Sequence, residues 1–285
     1  MIYRENLDLT NYNTYRIPAT VHRAYFPQNA ADLVALCAQH RGDPILFFGN
    51  GSNLIFSKPR YEKEIFVFIR EEMSTITVTD DRITAQAGAT LEQLSETARD
   101  AGLAGMEIFW DIPGTVGGGV YMNAGAYDGD LWSLLESVEW VDTATGTLRT
   151  ARKEELAYGY RQSAFQKMSA VITRAVFRLS RGDNAAITEK MNCIREERHC
   201  KQPWDMPSAG SVFKRPQGRF VGQMIEELNL KGYRIGGAEV SPKHAGFVVN
   251  SGGATGADIL ALVAHIQQKV RERYGVELEL EQQVV

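Results

Sequence analysis

The run Gly49-Asn50-Gly51-Ser52-Asn53-Leu54 directly follows the apolar residues Ile45, Leu46, Phe47 and Phe48. Its glycines allow a turn whose backbone N–H groups, with the Ser52 hydroxyl and the Asn53 amide, could cradle a phosphate. It is not the dinucleotide fingerprint: Leu54 stands at the third glycine position, and the following Ile55-Phe56-Ser57-Lys58-Pro59 cannot open a helix. No Gly-x4-Gly-Lys-Ser/Thr run occurs, which excludes a P-loop. A second run, Ile112-Pro113-Gly114-Thr115-Val116-Gly117-Gly118-Gly119, leads into Tyr121-Met122-Asn123-Ala124-Gly125-Ala126. Its apolar neighbours exclude a flexible linker. Glycines in such company mark positive φ or a backbone that closely approaches something flat or charged. Two such loops could grip one large anionic cofactor; a plain turn and tight packing in a β-rich region are the competing readings.

Arg161 lies between aromatic and apolar neighbours in Tyr160-Arg161-Gln162-Ser163-Ala164-Phe165, which suits either a surface site or a guanidinium facing an anion. The run from Lys201 to Pro216 gathers prolines, Gly210, Ser208, Ser211, Lys214 and Arg215 in a loop-to-strand segment. No Gly-x-Ser-x-Gly elbow exists, and none of the five histidines pairs with a serine motif or forms a His-Glu-x-x-His zinc site. A hydrolase triad is therefore unsupported, and no metal site is expected. Cys37, Cys193 and Cys200 have no Cys-x-x-Cys spacing, which fits free thiols in a reducing cytosol. With 31 basic and 35 acidic residues, the formal charge of −4 leaves no footprint for non-specific nucleic-acid binding. The N-terminus has no signal-peptide core and no stretch is apolar enough to span a membrane, so a soluble cytoplasmic protein is expected.

The elements that must carry these residues show mixed periodicity. Asn29 to Asp32 and Thr90 to Gln93 have the form of capping boxes, the second helix closing at Gly102. Ile76, Val78, Ile83 and Ala85 alternate like a hairpin; 138–141 and 171–179 read as further strands. Helical spacing appears at Ile187, Met191 and Ile194, and again over 220–228 and 257–273; short strands fall near 233–235 and 247–249, and 276–280 closes the chain. The absence of strict β-α-β alternation favours an α+β architecture in three parts, with boundaries near residues 72 and 185.

Six segments together resemble one family. Residues 49–54, 112–118 and 121–126, Tyr160-Arg161-Gln162-Ser163, residues 207–216 and residues 243–250 are similar, in order, to motifs of the UDP-N-acetylenolpyruvoylglucosamine reductases. The resemblance runs from about residue 10 to the end. It implies a p-cresol-methylhydroxylase-type FAD fold of two subdomains (1–72, to which the C-terminal strand 276–285 returns, and 73–185), plus an α/β substrate domain (186–275). The shorter subgroup, without an inserted substrate-clamping loop, is the nearer likeness. The family reduces UDP-N-acetylglucosamine enolpyruvate to UDP-N-acetylmuramate with NADPH through bound FAD, in peptidoglycan precursor synthesis. Carried over residue by residue, it implies FAD contacts at Gly49, Asn50, Gly51, Ser52, Asn53, Leu54, Pro113, Gly114, Thr115, Gly117, Gly118 and Ala124. It implies catalytic roles for Arg161, Ser211 and Glu281, and substrate contacts at Tyr160, Lys201, Lys214 and Arg215. The implied partner is the enolpyruvyl nucleotide alone, met by a cytoplasmic monomer. Alternation puts Glu277, Glu279 and Glu281 on one strand face, so only the resemblance selects Glu281. Three departures stand out: Gln283 where an arginine is usual, the bulky Phe109-Trp110-Asp111, and Ile17-Pro18-Ala19 in place of a glycine pair.

Overall fold

Asn29 starts the first helix by accepting the Asp32 N–H at 2.9 Å, which opens α1 (Ala30–Gln39) with Leu33, Leu36 and Cys37 turned inward. Thr90 and Gln93 exchange both bonds of a capping box ahead of α2 (Leu91–Asp100), and Gly102 follows the C-cap at φ +65°. A computed structural model describes all residues, Met1–Val285, and divides them into two units. The first comprises Met1–Glu5, Arg23–Asn50 and Lys63–Glu196; the second comprises Asn6–His22, Gly51–Glu62 and Glu197–Val285.

In the first unit, Ile45–Phe48 pairs in parallel with Ile65 to Phe68. A five-stranded antiparallel sheet runs in the order Thr147–Arg152, Leu135–Asp142, Ala170–Arg178, Arg82–Gln86, Ile76–Thr79. One apolar cluster joins Leu33, Leu36, Ile65 and Val67 to Ile83, Val138, Val141 and Phe177 of that sheet. Residues 23–50 and 63–72 share a core with 73–185, and the unit continues into helix α5 (Asn184–Lys201) as far as Glu196.

The segment 112–119, read from sequence as loop, forms α3 (Val116–Met122) with three consecutive glycines inside it. Each glycine costs a helix roughly 0.8–1 kcal/mol relative to alanine, so propensity argues against it. Packing overrides propensity here. A Cβ on Gly117 would meet the Ala87 Cβ at 2.9 Å, and one on Gly119 would meet the Leu131 Cδ2 at 3.0 Å. Leu131 opens the short α4 (Leu131–Leu134), capped by Asp130.

In the second unit, α6 (Val221–Glu227) and α7 (Gly256–Tyr274) accompany a three-stranded antiparallel sheet of Arg234–Ile235, Ala238–Val240 and Val248–Asn250. Ile259, Leu262, Val263, Ile266 and Val270 form the buried stripe of α7, which Thr255 caps and Gly275 ends at φ +65°. The strand expected over 276–280 is not formed as such. Only Leu280 bridges Phe213, and the regular strand is Gln283–Val284, parallel to Leu54–Ile55. Ser57 Oγ and the Tyr61 hydroxyl, the latter at 2.7 Å, both donate to the Val285 carbonyl, which holds this pairing at its end.

Candidate functional site

Between the apolar strand Ile45–Phe48 and the short strand Leu54–Ile55, the backbone turns through residues 49–53. Its carbonyls are engaged: Gly51 accepts the Thr14 N–H at 3.2 Å and Asn53 accepts the Gln283 N–H at 2.9 Å. Its donors are not. The N–H groups of Gly49, Asn50, Gly51, Ser52 and Asn53 find no acceptor in the protein, and neither does the Ser52 hydroxyl. Half-buried donors left open in series are what a phosphate requires, because each unpaired buried N–H is costly until an acceptor arrives. The glycines are fixed by the protein itself. A Cβ on Gly49 would overlap Thr115 Oγ1; Gly51 has φ +64°, and a Cβ there would overlap the Tyr12 carbonyl.

The second glycine run behaves differently. Gly114 donates to the Ile112 carbonyl, Val116 to Ala89, Gly117 to Ala87, Gly119 to Thr115, all at 2.7–2.8 Å, and Gly118 donates to Thr115 Oγ1 at 3.3 Å. This run offers a surface of bare backbone and few donors. Asn50 Nδ2 donates to the Pro113 carbonyl at 3.5 Å, and the half-buried Ala124 donates its N–H to Gly119 at 2.8 Å.

Arg161 occupies the tip of a hairpin between Tyr158–Gly159 and Gln162–Ser163, at φ +54°. Its guanidinium donates to the carbonyls of Gly125 (2.7 Å) and Asn123 (3.3 Å) and lies over the exposed Tyr160 ring. Gln166 Nε2 holds the Arg161 carbonyl at 3.1 Å. Asn123, which the sequence reading passed over, organises this corner. It ends α3 in the left-handed region, donates to Gly159 and Asp130, and accepts the Trp132 N–H. Its clue lay in the sequence: an asparagine directly after an apolar helical turn is a C-cap signal.

In the second unit, Ser211 begins an extended segment bonded on both sides. Val212 donates to Gly246 and accepts the Glu281 N–H at 2.8 Å, while Lys214 donates to Glu279 at 2.9 Å. The exposed Ser211 hydroxyl bonds to no protein group. Glu281 is half-buried and its carbonyl accepts Asn53 Nδ2 at 3.2 Å. Gln282 turns inward: it accepts from the buried Tyr15 hydroxyl at 3.0 Å and donates to the carbonyls of Ala209 (3.0 Å) and Gly210 (3.3 Å). Burial pushes the Tyr15 hydroxyl far above the usual phenol range, with the Gln282 bond opposing only in part. Nothing in the sequence pattern announced this buried pair. Of the expected substrate cations, Lys214 pairs with Glu279, Lys201 pairs with Glu197 on the last turns of α5, and Arg215 lies 3.8 Å from the Phe220 ring centroid. Gln283 is exposed and directs its amide to the Glu281 carbonyl.

An FAD-binding domain model matches residues 21–152, and the open donors of residues 49–53 fit the pyrophosphate of that cofactor. The class is thus an FAD-dependent oxidoreductase. The C-terminal domain model of UDP-N-acetylenolpyruvoylglucosamine reductase matches residues 202–285. Reductases of that name from Lactobacillus delbrueckii subsp. bulgaricus and Francisella tularensis are 42% and 40% identical over 99% of this chain, covering 95% and 99% of their own lengths. The crystal structure of the Thermus caldophilus reductase superposes with a TM-score of 0.82 at 32% identity, over 99% of each chain. The chain belongs to the UDP-N-acetylenolpyruvoylglucosamine reductase family, and its fold is the α+β, p-cresol-methylhydroxylase-type FAD fold with a C-terminal substrate domain.

Proposed function

We propose that Arg161, Ser211 and Glu281 carry the chemistry of this chain's reaction. As a member of its family, the chain uses NADPH to reduce the enolpyruvyl ether of UDP-N-acetylglucosamine to UDP-N-acetylmuramate, a step of peptidoglycan precursor synthesis. Residues 49–53, 113–118 and Ala124 would hold FAD, which would supply the enolpyruvyl methylene carbon with hydride drawn from NADPH. The Arg161 guanidinium, permanently charged and already oriented by the Asn123 and Gly125 carbonyls, stabilises the negative charge that spreads over the adjacent carbon and its carboxylate. A donor so placed commonly contributes ~3–4 kcal/mol to the transition state. The Ser211 hydroxyl protonates the carbanion centre, and the Glu281 carboxylate serves the same proton transfer from the neighbouring segment. Tyr160, Lys201, Lys214 and Arg215 bind the nucleotide, with Lys214 exchanging Glu279 for a phosphate oxygen.

The observation that carries this reading is Ser211 itself. Its backbone bridges Phe247 and the next residue, Val212, is bonded to Gly246 and Glu281, while the Ser211 hydroxyl is exposed and bonded to nothing in the protein. A serine that merely satisfied loop backbone would show such a bond. We read the chain as a cytoplasmic monomer that meets only the nucleotide substrate, with no nucleic-acid or membrane partner; no helix is long and apolar enough to cross a membrane.

Stopped-flow absorbance of the two half-reactions tests the assignment. In Ser211→Ala, flavin reduction by NADPH stays within about twofold of wild type, and reoxidation by the enolpyruvyl nucleotide slows by the ~10²–10⁴ of a positioned general acid. Ser208→Ala, in the same loop, changes neither. Wild-type reoxidation in Ser211→Ala would remove Ser211 from the mechanism.

A further inference from the structure

Glu281 is fixed through its backbone, and one of the two groups that fix it belongs to the donor turn. Its N–H is bonded to the Val212 carbonyl at 2.8 Å, next to Ser211. Its carbonyl accepts Asn53 Nδ2 at 3.2 Å, and the Asn53 carbonyl accepts the Gln283 N–H at 2.9 Å, so Asn53 holds the chain at two points directly after Glu281. Beyond it, Val285 donates to Ile55 and Ser57 donates to Val285, continuing the parallel pairing of Leu54–Ile55 with Gln283–Val284. Asn53 is at the same time the last of five residues whose N–H groups find no protein acceptor. One residue thus gives its backbone N–H to the open donor turn and its side chain to the peptide of a catalytic carboxylate.

We infer that Asn53 is a positioning residue: by binding the Glu281 carbonyl it ties the placement of that carboxylate to occupancy of the 49–53 turn by the cofactor phosphates. A turn bonded only through its carbonyls opens more readily than one whose N–H groups are also held, and an asparagine at its end passes that motion to the segment it holds. Once an anion engages the N–H groups, the turn, Asn53 and the Glu281 peptide become one hydrogen-bonded unit running on to Val212. Binding that orders one element lowers the ordering cost of the next. The proton-transfer residues are then in place only when the cofactor is. This inference rests on the roles proposed above for FAD and Glu281.

Two measurements test it. The first uses the unaltered chain: amide hydrogen exchange of the peptide covering 279–285, with and without FAD. Bound FAD is expected to slow exchange at Glu281, Gln283 and Val285 by tenfold or more, and exchange unchanged by FAD would overturn the coupling. The second compares Asn53→Ala and Asn53→Asp, neither of which can donate to the Glu281 carbonyl, with the FAD-loaded fraction isolated. Reoxidation by the enolpyruvyl nucleotide is expected to slow by 10–100-fold more than flavin reduction by NADPH in the same variant, and the FAD-dependent protection at Glu281 to be lost. Wild-type reoxidation, or protection retained in Asn53→Ala, would refute the role of Asn53. Glu281→Gln separates the two levels. If it reoxidises normally, the assignment of Glu281 itself fails; if it is slow while Asn53→Ala is normal, only the positioning role does.

Discussion

In residues 49–53 five successive N–H groups meet no protein acceptor, whereas in residues 114–119 the N–H groups of Gly114, Val116, Gly117, Gly118 and Gly119 are all bonded within the protein. Both runs are glycine-rich and both follow apolar segments. The first leaves its donors open, as the proposed phosphate site requires; the second has spent them on a glycine helix and its contacts with Ala87 and Ala89. Glycine content therefore marks where a backbone comes close to something, and the disposition of the N–H groups tells whether that something is the protein or an anion.

Alanine substitution breaks the comparison most sharply at Gly51. The left-handed φ and the overlap of a Cβ with the Tyr12 carbonyl act together. Backbone strain of ~1–2 kcal/mol and overpacking of ~1–3 kcal/mol predict a loss of about 3 kcal/mol in denaturant unfolding, with the donor turn displaced. Full stability in Gly51→Ala would mean that the turn relaxes freely.

The second run should split between neighbouring glycines. A Cβ on Gly117 meets Ala87 at 2.9 Å, but one on Gly118 meets only Thr115 Oγ1, at an ordinary 3.4 Å. Gly117→Ala should cost ~1–3 kcal/mol by overpacking, while Gly118→Ala should keep or raise the thermal midpoint, gaining up to ~1 kcal/mol of helix propensity. If bare backbone at Gly118 faces the cofactor, the same methyl weakens FAD binding by tenfold or more in a fluorescence titration. Unchanged FAD affinity would confine the role of this run to packing.

Tyr15→Phe reaches the segment that Asn53 holds from its other side. It leaves the Gln282 amide oxygen without its donor in a buried site, at a cost of ~1–3 kcal/mol, measured as a lower unfolding midpoint. Replacing both residues by apolar ones removes the orphaned group and should return most of that stability; a double variant as weak as the single would contradict this account.

The smallest expected effect is at His244. Burial lowers its pKa below the ordinary histidine value, with Lys231 acting the same way and Glu226 opposing. The neutral ring accepts the Gly246 N–H at 3.1 Å, beside the segment that carries Ser211. The unfolded chain therefore takes up a proton first, so stability is full above a pH of about 6.5 and declines as the pH falls through the lowered folded value. In His244→Gln that part of the pH dependence should vanish from the unfolding curves.

Local chemistry made much of the scaffold readable in advance. The N-cap at Asn29, the capping box at Thr90, the hairpin at Ile76 to Ala85 and the ends of α7 depend on neighbours within a few residues, and the structure forms them there; at Asn29 the return bond of the expected box goes instead from the Gln28 N–H to Asp32. The glycine helix α3 was hidden because Ala87 and Leu131, distant in sequence, decide it. The same holds for Asn53 with Glu281, 228 residues apart, and for Tyr15 with Gln282, 267 apart. The glycine turn was legible by composition as a turn between strands. That its donors alone were left open was not, since the competing acceptors come from folding.

Amide hydrogen exchange across both glycine runs, with and without FAD, bears most directly on the claim that residues 49–53 hold the cofactor phosphates. The account predicts fast exchange at Gly49 to Asn53 in the flavin-free chain and slowing of 100-fold or more on FAD binding, with Val116, Gly117 and Gly119 slow in both states. Amides at 49–53 that are already protected without FAD, or that remain fast when it is bound, would contradict it.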